Sequence, residues 1–426
     1  VNTRMRSAAR KTLGFVAVMA LVSSLAVAQQ ITLRFNTLFH SGDAQAMERI
    51  VEKFNAEHTD VRIELTQGQW TDYYAQLYSA VVAGNAPQIG VVHSTQLPRM
   101  AVALTPMVDS PAGNLLEAAG IQGGDFPPNL WAAGEYEGVR YLVPFDTPIM
   151  GLYYNKDVFV EAGLDPEAPP ETREQFEAAA QAIMDATNKY PAHLAGFGAP
   201  RVQRRAFSYL LWQQGGELYN EDYTEATFNN ELGLNALRYL VSTVQEKGWN
   251  IPDGNGYTQF AAGELGMLVA GNWFYWTALS AGVNFGVHYT PTFFDQRATW
   301  GNSHNLVIPR QPAGTPDEVY VAAAEAIKWI SENADLWGIY GGHLPAYLPV
   351  RESAALLESE TWQVSLSKFA RMIDEGAMHY SITHQDGAEV NAALENFIQQ
   401  AYNGTITPEV ALARAEAEVN AILGGQ

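Results

Sequence analysis

Several side chains that could grip a small molecule fall just beyond apolar stretches of this chain. Trp273 ends Gly271-Asn272-Trp273, directly after the apolar run at 265–270. His40, Ser41 and Asp43 occupy the turn that follows the first alternating stretch, and His93, Ser94, Thr95 and Gln96 follow the apolar run at 89–92. A flat ring supplies apolar surface, while Asp, Asn, Gln, Arg and His supply planar donors and acceptors. Together they suit a polyhydroxylated molecule, with C–H groups on its faces and hydroxyls on its rim. Groups that break bonds are harder to find. There is no G-x-S-x-G, H-E-x-x-H or phosphate loop. Glu135 and Glu137 are close in sequence, but among 46 acidic residues such neighbours are background rather than the paired acids of a glycosidase. His379 and His384, five apart, suit neither one strand face nor one helix face, so no metal is expected.

The elements that would position these residues alternate. Ile31, Leu33 and Phe35 read as a strand, and Met47, Ile50, Val51 and Phe54 as a helix face with Asp43 as its N-cap. Val61, Ile63 and Leu65 form a second strand. Tyr74, Leu77, Tyr78 and Val81 give a second helix face, and residues 89–92 a buried strand. This is βαβαβ, a parallel-rich sheet flanked by helices, and such sheets bind ligands at the carboxyl ends of their strands. A second α/β set begins near Tyr141, with an extended segment through Tyr153-Tyr154. A capping box at Thr172 to Gln175 then precedes Phe176, Ala179, Ala180 and Ile183. Further helices are read over Leu234, Leu237, Val241 and Val244, and over Val321, Ala324, Ile327 and Lys328. The last one opens on Thr407-Pro408.

Residues 13–28 are apolar, follow Arg4, Arg6, Arg10 and Lys11, and end in Ala26-Val27-Ala28, the pattern of a signal peptide cleaved before Gln29. No cysteine follows to carry a lipid, and the chain has none anywhere, so neither disulfides nor thiolate chemistry is available. Cleavage would remove four of 25 basic residues and none of the 46 acidic ones, leaving a chain more acidic than its formal −21. Such a surface repels nucleic acid and anionic membranes.

Several segments, in order along almost the whole chain after residue 28, resemble the extracellular solute-binding proteins of ABC importers, in particular those for maltose, other sugars or glycerol 3-phosphate. They are His40-Ser41-Gly42 with Phe54-Asn55-Ala56-Glu57, Gly84 to Gln88, Leu152-Tyr153-Tyr154-Asn155-Lys156-Asp157, Ala162 to Pro166, Ala270-Gly271-Asn272-Trp273, Tyr347-Leu348-Pro349-Val350 and Asn403 to Pro408. The resemblance implies an α/β, two-lobed periplasmic-binding-protein fold with a multi-crossing hinge and an interlobe ligand cleft. Lobe 1 would comprise residues 29–146 plus about 285–344, and lobe 2 residues 147–284 plus about 345–426. The hinge crossings would fall near 144–149, 281–285 and 344–349. By the same resemblance Trp273 would stack on the ligand from the second lobe and Tyr347 would touch it near the last hinge. Asp146, with Thr147, would accept hydroxyls at the first hinge. Asn302 and Ser303 lie in a ligand loop, Trp300-Gly301-Asn302-Ser303-His304, and Arg201 and Arg204, with Gln203 and Arg205, precede another ligand segment at 211–216.

Relatives that hold a glycerol-phosphate ester use an arginine ahead of the C-terminal helices, but residues 381–391 here contain two acids and no arginine. The resemblance therefore implies a neutral sugar, one unit or a short oligosaccharide, with Asn391 or Asp386 as hydroxyl partners. Glycerol 3-phosphate or a glycerophosphodiester is the alternative, and a secreted carbohydrate-active enzyme a more distant one. Some relatives bind ferric iron through adjacent tyrosines, yet Tyr153 and Tyr154 on an extended segment would face opposite ways. The expected molecule is a monomeric, non-enzymatic periplasmic protein without a cofactor, whose partners are the sugar-like ligand and the importer's membrane permease.

Overall fold

The computed structural model describes residues 30–196, 199–380 and 383–424. The segment read as a signal peptide, and Ser381 and Ile382 of the 381–391 stretch, lie outside them.

The expected βαβαβ unit is present. Strand β1 (Ile31–Thr37) buries Leu33 and Phe35, and helix α1 (Ser41–Glu57) covers them with Met47, Ile50, Val51 and Phe54. β2 (Val61–Gln67) runs parallel to β1 with Ile31 opposite Val61. In helix α2 (Tyr73–Val82) the buried face is set by Tyr73 and Leu77, one helical turn apart, whereas Tyr78 is exposed, so the face is turned from the expected one. The reason is polar as well as apolar. The Tyr73 hydroxyl donates to Asn36 O at 2.9 Å and accepts from Val91 N at 2.8 Å, tying the helix to two strands at once. β3 (Gly90–His93) joins β1 through a parallel bridge from Ile89 to Phe35. On its other side lie the antiparallel strand His304–Val307 and then Val143–Pro144.

A second sheet has the order Phe285–His288, Met150–Asn155, Leu265–Gly271, Tyr190–His193, with only the last pair parallel. Tyr153 and Tyr154 point to its opposite faces, Tyr153 packing on Phe274 and Phe285 and Tyr154 on Phe159. The capping box at Thr172 and Gln175 opens the helix Arg173–Ala186, and Thr407 caps Pro408–Leu423, each cap stabilising its helix by about 1 kcal/mol.

The molecule has two lobes, each built on one of these sheets. Between them Asp146–Thr147 pairs with Leu344–Pro345 as an antiparallel ribbon. The middle crossing differs. Phe285–His288 belongs to the second sheet and pairs with Met150–Asn155, so the chain returns to the first sheet only between His288 and His304, not near residue 285.

Candidate functional site

The helix α1 starts at Ser41, three residues earlier than Asp43 as N-cap would require. His40 is the N-cap residue, and no side chain caps the helix. Ser41 holds φ +53°, a conformation costly for a residue with a Cβ and found where a site dictates the backbone. His40, Ser41, Gly42 and Asp43 all line a cavity of about 240 Å³ between the lobes. The first turn of a 17-residue helix thus borders the cavity, where the helix dipole favours acceptors and negative charge.

Three tryptophans surround the same space. Trp70 follows β2, Trp273 follows the strand Leu265–Gly271, and Trp300 lies on the crossing strand Thr299–Gly301. Trp273 stands edge-on to Trp300, ring centroids 6.3 Å apart, and its Nε1 donates to the Tyr257 hydroxyl at 2.9 Å. Any Cβ at Gly271 would run into the Trp273 ring, so glycine is needed there for the indole to fold back over the strand end. Arg205 lies over Trp300 at 3.8 Å from the ring centre, and Arg201 over Trp70 at 5.2 Å. Both arginines line the cavity.

Beneath the cavity a chain of charges crosses the hinge. Asp146 is fully buried. Its carboxylate oxygens both lie 2.9 Å from Nδ1 of His304, Oδ2 accepts from Trp337 Nε1 at 2.7 Å, and Oδ2 lies 3.1 Å from Nδ1 of His343. His343 reaches Asp43 through Nε2 at 3.2 Å. Burial would raise the Asp146 pKa, but His304 and His343 outweigh it and hold the carboxyl well below its ordinary value. For His343, burial lowers the pKa and Asp43 and Asp146 outweigh it, raising it to about 10. His93 beside them goes the other way, lowered well below the usual imidazole value by burial and by its neighbour His304. Asp146, His304 and His343 each bring one ligand atom within 4.8 Å of the others, close enough for a metal ion. Those atoms face one another as an ion-pair network, however, and Trp337 already occupies a carboxylate oxygen.

The structure gathers Trp273, His40, Asp43 and Arg201 of the expected contacts into one wall. It sends the others elsewhere. Tyr347 is buried against Phe126, its hydroxyl 2.7 Å from Lys328 Nζ, because that loop packs on the first lobe and not on the cavity. Asp146 supports the site from below instead of lining it. Arg204 points away into an ion pair with Glu395 at 2.9 Å, one helix position from the lining Arg205. Thr95 and Gln96 are half-buried in the short turn Ser94–Gln96, off the cavity wall. Asn302 accepts from the Ser94 hydroxyl at 2.9 Å, and Ser303 is fully buried with its hydroxyl toward Asn305, so this loop braces β3. Asn391 sits on the helix Gly387–Tyr402 away from the wall. Asp386, just ahead of that helix, does not line the cavity either. Trp70, Thr277 and His343 were not anticipated. Trp70 had a signal, since it follows β2 as His40 follows β1, and His93 ends β3.

Residues 40–362 match the model of the bacterial extracellular solute-binding protein family. The chain belongs to that family. The solute-binding proteins that resemble it include the sn-glycerol-3-phosphate-binding periplasmic protein UgpB of Pectobacterium atrosepticum, 25% identical over 88% of this chain and 87% of that protein. The cyclic alpha-maltosyl-1,6-maltose binding protein of Arthrobacter globiformis superposes with a TM-score of 0.75 at 24% identity, covering 93% of this chain and all of that one. An ABC substrate-binding protein of Listeria monocytogenes in complex with cycloalternan gives 0.79 at 20% identity, with the same coverage. These solute-binding proteins share the two-lobed architecture, and among the described residues no helix is long and apolar enough to cross a membrane.

Proposed function

We propose that this protein is the periplasmic receptor of an ABC importer and that it closes on a hydroxyl-rich, sugar-like solute of one or a few units. The observation that carries this reading is the wall of Trp70, Trp273 and Trp300, interleaved with His40, Asp43, Arg201 and Arg205, around an interlobe cavity. Rings stack on the C–H faces of a sugar while the polar groups meet its hydroxyls, and the cavity excludes the water that would compete. Residues 30 to about 146 and 304 to 344 form one lobe in this reading and most of the remainder the other, with closure about the Asp146–Thr147 and Leu344–Pro345 ribbon. The permease would read the closed shape. Binding without chemistry fits a site in which the carboxylates are tied up as ion pairs.

Thermal-shift screening of mono- and disaccharides and polyols tests this. At least one should raise the melting temperature by mass action. Silence across the whole panel would sink the reading.

A further inference from the structure

The acid–base balance of the cavity does not suit a neutral solute. Arg204 is neutralised by Glu395, but its neighbour Arg205 has neither an ion pair nor a hydrogen bond among the described residues, and its Nε is buried without an acceptor. Burial, with Arg204 and Arg201 nearby, lowers its pKa to about 9, so it remains a cation at neutral pH. A guanidinium whose Nε is buried without an acceptor costs free energy unless something arrives to pair with it. The other charges in the wall do not supply it. Asp43 is engaged with His343, Arg201 already has its own interactions, and His93 is held neutral with its Nδ1 2.5 Å from the Tyr74 hydroxyl. The first turn of α1, uncapped by any side chain, faces the same space. This is a cationic pocket in a chain whose formal charge is −21.

Resting on the sugar-binding reading above, we propose that the solute is a sugar acid, its carboxylate paired with Arg205 and its ring set among Trp70, Trp273 and Trp300. Arg205 lies against the face of Trp300 at 3.8 Å, which leaves its edge for partners. That edge is a planar fork matching the two oxygens of a carboxylate. The Arg205 cation matches the single charge of a carboxylate.

The experiment compares matched pairs by isothermal titration: D-glucuronate with D-glucose, D-galacturonate with D-galactose, the corresponding disaccharides, and glucose 6-phosphate. For the wild-type protein at neutral pH, a uronate should bind at least about tenfold more tightly than its parent sugar. That preference should vanish in Arg205→Gln and shrink in Arg205→Lys. Circular dichroism checks that each variant is folded, and the wild-type comparison decides even if Arg205→Gln is not. Equal or tighter binding of the parent sugars overturns the proposal while leaving the sugar receptor intact. Preference for glucose 6-phosphate over every uronate overturns it as well. Failure of every compound to bind removes both readings.

Discussion

His343 Nε2 stands 3.2 Å from Asp43 Oδ1, joining the first turn of α1 to the hinge. Because Nδ1 of the same ring lies 3.1 Å from Asp146, the imidazole links two carboxylates and carries its charge well into the alkaline range. The stabilisation from this charged ring is complete below its ordinary pKa of 6.5 and is lost as pH rises through about 10. Asp146 behaves oppositely. Its depressed carboxyl stabilises the fold above the ordinary value of 3.8, and that contribution drains away as pH falls. Thermal melts should therefore show a plateau between roughly pH 4.5 and 6.5, declining on both sides. His343→Gln should flatten the alkaline decline, and a melting temperature that climbs from pH 7 to 9 contradicts the network.

Removing the central carboxylate should be severe. Asp146→Ala strands His304, His343 and Trp337 in a buried site and is expected to cost about 3–5 kcal/mol in chemical denaturation, without any ligand present. A loss under 1 kcal/mol would show that the network is solvated or slack.

Two aromatic substitutions separate the cavity from the core. Trp273→Ala should weaken the best ligand by about 2 kcal/mol or more, with little change in apo melting, since the ring is only partly buried and faces the cavity. Tyr347→Phe should do the reverse, leaving affinity unchanged and costing about 1 kcal/mol through the lost contact with Lys328. Calorimetric titration beside thermal melts reads both, and swapped outcomes would reassign the two residues.

Gly42 packs directly against Trp276. A Cβ there would lie 2.8 Å from Cβ of Trp276, which belongs to the opposite lobe. Gly42→Leu should hold the lobes apart, reducing ligand affinity at least about tenfold while apo stability stays within about 0.5 kcal/mol. Small-angle scattering should show the variant failing to compact on adding ligand as the wild type does. Normal compaction would mean that the lobes meet some other way.

The alternation of Ile31, Leu33 and Phe35 with the helical spacing of Met47 to Phe54 was enough to read the first sheet and its flanking helices, because burial on one face writes a period into the sequence. The capping box at Thr172 was equally legible, being a local hydrogen-bond pattern. The site was less so. Arg204 and Arg205 are adjacent, and only the rotation of their helix decides that one meets Glu395 and the other the cavity. Tyr347 was misplaced since its motif fixes a position along the hinge but not the direction of its ring. His343 carries no local signal at all. Its role depends on Asp43 and Asp146, 300 and 197 positions away along the chain, being brought to its two nitrogens. The middle crossing was misjudged for a similar reason, as strand Phe285–His288 could have joined either sheet until its pairing with Met150–Asn155 was seen.

Helix α1 begins at Ser41, a residue forced into positive φ, and no side chain caps it. One end of the helix is left without a side-chain partner, and a solute oxygen docked there would supply it. An acid oxygen or hydroxyl docked there would act as the missing cap, so recognition and completion of the helix become a single event. The amides of Ser41 and Gly42 should then exchange with deuterium freely in the empty receptor and slowly in the filled one.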